Sequence, residues 1–214
     1  QARLLRGLGS PMGASAPAGS GADPLAAHRA AHQRTREQRP RPVPDGRLAA
    51  AAGLLAEASQ LAVIGRRNSY PVALHLRQQL AQIRGRVTVL PVPGQSLGED
   101  LAGLGPRDAA VLIGFRRRPH GFSALMEALL AREVPIVLVA DTSLEPWRDR
   151  VAHFLPAPLD SPSAFDSYAA AMSLANLLAT AVLARHTRAG RARVSTITAW
   201  YDDLEELEEL EEPR

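Results

Sequence analysis

The chain contains no cysteine and no lysine. Without thiols it can build neither a disulfide framework nor a thiolate metal site. Its 25 basic residues are all arginine, a usage that accompanies abundant alanine and points to a GC-rich genome as much as to a function. Aromatics make up only 4% of the 214 residues. No apolar run approaches the roughly 20 residues a membrane span requires, and no leader peptide is visible. These absences predict a soluble, cytoplasmic protein with no membrane partner. The chain opens on Gln1 rather than Met, which suggests a piece of a longer protein.

The formal net charge is +3, but it is unevenly spread. Residues 1–44 carry seven Arg against two acids, residues 45–201 carry 17 against 12, and residues 202–214 carry one against eight. A basic arm can touch nucleic acid. A mostly polar stretch of this kind also reads simply as a solvated linker.

Residues 9–24, "GSPMGASAPAGSGADP", are rich in Gly, Ala, Ser and Pro and lack apolar periodicity, so 1–44 is expected to be a flexible basic arm or linker. A short helix is possible over 25–38. Asp45 then caps a helix reaching about residue 58, with Leu48, Leu54 and Leu55 available for its apolar face. From there the pattern alternates. Strands are expected at 60–65, 86–92, 109–115, 134–141 and "HFLPA", with helices at 70–83, near 97 and at 121–133, and a helical turn at "EPWRDRVA". A long Ala/Leu-rich helix is expected over 162–186. Near-continuous apolar strands alternating with amphipathic helices predict an α/β fold: a doubly wound, five-stranded parallel sheet flanked by helices. Ligands in such folds bind outside the carboxyl ends of the strands, where strand order reverses.

Two strand-to-helix corners stand out. The first is "VIGRRNSYP", residues 63–71, with Gly65 ending the strand, Ser69 able to cap the helix and Pro71 early within it. It lacks the glycines of a dinucleotide site and the Gly-Lys-Ser/Thr of a nucleotide P-loop. The second, "AAVLIGFRRRPHGF", sets Arg116, Arg117 and Arg118 where a strand gives way to a helix. Like charges repel unless an anion is present, and a guanidinium fork matches carboxylate or phosphate. Arg116 and Arg117 directly follow the strand and are expected to face the crevice, whereas Arg118 is expected to turn into solvent. A third piece, "LDSPSAFDSY" at 159–168, has Ser163 and Asp166 in a capping-box spacing. Ordinary helix capping and solvated arginines remain the plain alternatives.

These three pieces, in this order, resemble the sugar isomerase (SIS) domain over about residues 47–190. More narrowly, they resemble the effector domain of RpiR/MurR-type bacterial transcriptional regulators. Gly65 and Ser69 match that family's Gly-x-x-x-Ser motif, with Arg67 where many members have a second glycine. The family's Ser-x-Ser-Gly-x-Ser/Thr motif is replaced by Gly114, Phe115, Arg116, Arg117, Arg118 and Pro119, so both serines are lost. A subgroup of the regulators carries a Phe-Arg-Arg element there and a segment like 161–167 downstream. The resemblance implies an SIS-type sheet of flavodoxin-like strand order over 45–190, followed by a C-terminal helix with an acidic tail over 191–214. It implies an effector-binding domain that forms homo-dimers or tetramers. DNA would be bound through an N-terminal helix-turn-helix domain missing from this chain, of which 1–44 would be the end. The candidate ligand-binding residues are Gly65, Arg67, Asn68, Ser69, Arg116, Arg117, Ser161 and Ser163. Guanidinium only donates, so the ligand should be a small anionic metabolite such as a sugar phosphate or sugar acid.

SIS isomerases shuttle a proton with Glu or His. Here His75, His120, Glu99 and Asp100 are available, but no acid–base pair stands out, so a binding regulator is expected ahead of an isomerase. His28 and His32 share a spacing of four, yet Arg29 stands where a zinc-protease motif needs Glu. No metal, cofactor or catalytic residue is expected. Leu204, Leu207 and Leu210 mark the acidic tail as a terminal helix that packs on a partner or frays. A purely structural role, with Ala169, Ala170 and Ala171 permitting close helix approach, is a third reading.

Overall fold

The computed structural model describes residues 45–161 and 165–206. Its elements run α1 (Asp45–Glu57), β1 (Leu61–Gly65), α2 (Tyr70–Ile83), β2 (Val87–Leu90), α3 (Leu97–Leu101), β3 (Ala109–Gly114), α4 (Phe122–Leu130), β4 (Ile136–Ala140), β5 (His153–Pro156), α5 (Ala169–Arg185) and α6 (Thr187–Asp203). A 3-10 turn (Arg67–Ser69) precedes α2, and a longer 3-10 segment (Thr142–Arg150) joins β4 to β5.

Every strand pairing is parallel, and the order is β2-β1-β3-β4-β5. The pleat sorts side chains by parity. Leu61, Val63, Val111, Ile113, Val137 and Val139 join one buried cluster beneath α1, α2 and α5. Ala62, Ile64, Leu112, Leu138 and Phe154 join the other, beneath α4. Because both faces are covered, β1, β3 and β4 are buried along their whole length. That double burial explains why their sequences are continuously apolar rather than alternating.

On α2 the expected stripe is correct: Val72, Leu76, Leu80 and Ile83 are all buried. Leu55 of α1 is fully buried, with Leu48 and Leu54 packed at the edge of the same cluster. The chain runs from β1 outward to β2 and returns to β3 on β1's other side. Strand order therefore reverses between β1 and β3, whose tips lie in register, Gly65 beside Ile113.

The long helix departs from the expected 162–186. It starts at Ala169, ends at Arg185, and is followed after His186 by α6. The last helix thus begins at Thr187 rather than 191. Of the three alanines at the start of α5, only Ala171 is buried, and it faces the chain's own core. The 1–44 arm, the helix at 25–38, His28, His32, Ser163, Leu207 and Leu210 lie outside the described residues. No helix among the described residues is long and apolar enough to cross a membrane.

Candidate functional site

At the first corner the chain turns sharply after Gly65. A Cβ on Gly65 would sit 2.5 Å from the Ser69 carbonyl oxygen and 2.7 Å from Ala73 Cβ. Only glycine lets α2 begin this close to its strand. Gly65 is therefore a positioning residue, buried beneath the site rather than lining it. Arg67 follows with φ of 53°, a left-handed conformation uncommon outside glycine. Ser69 stands at the helix N-cap, but its hydroxyl makes no capping bond, contrary to the expected role. Its side chain is instead buried and borders the hollow between the corners.

The second corner repeats the device. Arg117 has φ of 65°. Arg67 spans the gap, its Nη1 donating to the Arg117 carbonyl oxygen at 3.4 Å. Between the corners lies a hollow of about 60 Å³ bordered by Arg66, Arg67, Asn68, Ser69, Arg116, Arg117 and Arg118, with Phe115, Phe122 and Tyr168 as apolar walls. At roughly 10–15 Å³ per water-sized centre, it accommodates an anion the size of phosphate. A shallower depression of about 800 Å³ adjoins it, sharing the three consecutive arginines and adding His120, Ser123 and Ser143.

The arginines are held differently. The Arg116 guanidinium pairs with Asp166, and its backbone N–H donates to Asp141 Oδ2 at 3.1 Å. The hydrogen bond to Asp166 raises the Arg116 pKa above its ordinary value, with Asp141 and Asp160 adding attraction. Arg118 contradicts the expectation that it turns into solvent. It folds back, half-buried, donating to the Phe115 carbonyl at 3.2 Å and to Ser143 Oγ at 2.6 Å. Burial lowers its pKa, against the pull of Asp141. Ser143 in turn donates to Asp141, so Arg118, Ser143 and Asp141 form one chain of bonds that braces the corner against the end of β4.

Arg117 is the exception. Its Nε is buried and has no acceptor among the described residues. A buried donor left unpaired costs roughly 1–3 kcal/mol, a cost an anion in the hollow would offset.

Of the expected ligand residues, Arg67, Asn68, Ser69, Arg116 and Arg117 converge on the hollow. Ser161 does not border it, and Ser163 is outside the described residues. Asp166 is the counter-charge to Arg116, and its expected capping partner Ser163 lies outside the described residues. Asp141 and Ser143 were missed from sequence. The available signal was Asp141's place directly after the fourth strand, where a carboxyl end opens on the crevice. His75 sits away from the hollow, its Nε2 2.7 Å from Asn176 Oδ1 across the α2–α5 contact. No group of three or more potential ligands among the described residues can hold a metal ion.

Comparison with known proteins follows the same outline. The SIS domain model matches residues 54–181. No curated protein sequence matches the chain. Among solved structures, the sugar isomerase domain of an RpiR transcription factor from Sphaerobacter thermophilus superimposes with a TM-score of 0.72 at 23% identity, covering 82% of this chain and 98% of that one. The Vibrio vulnificus NanR protein complexed with ManNAc-6P gives 0.67 at 15% identity, covering 86% and 70%. A Methanococcus jannaschii protein whose structure was used to infer a 3-hexulose-6-phosphate isomerase gives 0.58 at 10% identity, covering 80% and 95%.

Proposed function

The chain belongs to the SIS-domain family, and from that premise we propose that it is the effector-sensing domain of a transcriptional regulator. Its ligand is a small anionic metabolite, a phosphorylated sugar or a sugar acid. DNA is read by a separate helix-turn-helix domain, and the sensing domain works as a homo-oligomer in the cytoplasm. The observation that carries the ligand class is the buried Nε of Arg117, without an acceptor among the described residues, beside four other arginines. The narrow hollow takes the charged group, with Arg67 and Arg117 donating to it. The rest of the ligand extends over the wider depression toward His120 and Ser123. The ManNAc-6P complex of the NanR neighbour supports the same class of ligand.

A sugar-phosphate isomerase is the second reading. It is favoured by the isomerase inferred for one structural neighbour and by His120 on the wall of the depression. Calorimetry and thermal shift with paired neutral and phosphorylated sugars test the ligand class. The phosphorylated partner should bind and stabilise, and the neutral sugar should do neither. Equal binding of both refutes the proposal. A coupled assay separates the two activities, because a sensor is stabilised by sugar phosphate without consuming it, whereas turnover establishes the isomerase.

A further inference from the structure

The stretch that leads into α5 holds a carboxylate of its own at the rim of the arginine hollow. Asp166 pairs with the Arg116 guanidinium, and its side chain is only 6% exposed where that of Arg116 is 40% exposed. Tyr168, just beyond it, walls the hollow and packs its ring on Phe115 with centroids 5.4 Å apart. Ser167 lies between them, its N–H donating to the Leu159 carbonyl at 3.1 Å. Residues 166–168 are thus both a wall of the site and a strap, and Arg116 fastens the strap's charged residue.

Arg116 also borders the hollow, so an anion seated there comes within reach of the guanidinium that Asp166 holds. Sharing it is unfavourable. Asp141 already accepts from the Arg116 backbone N–H at 3.1 Å, and a phosphate dianion would add more negative charge beside both carboxylates. Like charges crowded together away from water repel strongly. Moving Arg116 to the anion while Asp166 stays in place is no better, because a covered carboxylate would lose its counter-charge. Both conflicts disappear when Asp166 swings out into water as the anion takes its place. The next element feels that exchange. The Met172 N–H of α5 donates to the Tyr168 carbonyl at 2.9 Å, and α5 packs on α1 and α2.

We propose that Asp166 is an internal competitor for the site: an incoming phosphate-class anion displaces it from Arg116, which couples binding to release of residues 166–168 at the start of α5. This rests on the anionic-ligand reading of the hollow and adds a regulatory contact to it. The strap is latched without an anion and unlatched with one.

Inorganic phosphate is the probe, with ionic strength matched by chloride. Amide hydrogen exchange resolved by NMR is the first readout. Phosphate should speed exchange at Ser167 and Met172 at least about tenfold, the reverse of the protection that binding to a rigid site brings. Calorimetry on Asp166→Asn and Arg116→Gln, singly and combined, is the second. Asp166→Asn should tighten phosphate binding about fivefold beside Arg116, and clearly less in the Arg116→Gln background. Phosphate that binds while Ser167 and Met172 keep or gain protection overturns the latch and leaves the ligand class standing. Additive effects of the two substitutions also overturn it, because the Asp166 charge then acts on the anion only through space. Should Arg116→Gln fail to fold, the exchange measurement on the unaltered chain decides. A chain that binds no phosphate refutes the ligand class, and the latch with it.

Discussion

Arg67 and Arg117 are joined across the crevice, Nη1 of the first donating to the carbonyl oxygen of the second at 3.4 Å, and both hold left-handed backbone angles of 53° and 65°. Both residues are arginines held in a conformation that glycine adopts more readily, so two guanidinium groups stand at the strand tips at the cost of backbone ease. Strain of this kind concentrates at ligand sites, where the surrounding structure enforces it.

Arg117→Gly should therefore stabilise the fold and impair binding. A left-handed non-glycine residue costs roughly 1–2 kcal/mol, and the extra chain entropy of glycine takes back about 0.5–1 kcal/mol. The expected net gain in urea unfolding is at least about 0.5 kcal/mol, because the substitution also removes the unpaired buried Nε. Calorimetry should show at least about tenfold weaker phosphate binding, since one charge-assisted bond is worth about 1.5–3 kcal/mol. Unchanged affinity would remove Arg117 from the site.

Asp166→Asn should tighten anion binding. Asparagine can still accept a hydrogen bond from Arg116, but it no longer sets a negative charge beside the hollow. One charge at this range, near the surface, is worth about 1 kcal/mol, a roughly fivefold change in dissociation constant at low salt. The gain should shrink as salt rises. If binding weakens instead, the carboxylate's role is to position Arg116.

Gly65→Ala should disturb both fold and site. The added methyl meets the Ser69 carbonyl at 2.5 Å, a backbone atom that cannot step aside. Overpacking of this kind costs about 1–3 kcal/mol, and relief requires shifting the 3-10 turn that carries Arg67 and Asn68. The melting temperature should fall and phosphate binding should be lost together. A stable, binding variant would show that the corner has slack.

Stability should decline on acidification through His153. Burial on the edge strand lowers its pKa from the ordinary histidine value of about 6.5. The unfolded chain then takes up the proton first. Stability is full above pH 6.5 and falls as pH drops from there through the folded-state pKa. His153→Asn should flatten that part of a denaturation-against-pH profile. An unaltered profile would assign the acid sensitivity to other groups.

The sheet, the helices between its strands and the place of the crevice were determined by the sequence alone, because burial on both faces writes itself locally. Strands such as 109–114 must be continuously apolar, and helices such as 70–83 must repeat their apolar positions every three or four residues. The corner arginines were visible for the same reason, as charges set at the end of an apolar run. Which arginine faces the crevice was decided only by tertiary structure. Arg118 was expected to point outward and is instead drawn in by Ser143, 25 residues away. Arg116 takes its counter-charge from Asp166, 50 residues away. A guanidinium has many rotamers of similar energy, and what selects among them is an acceptor supplied by another element, which no local pattern of residues can reveal.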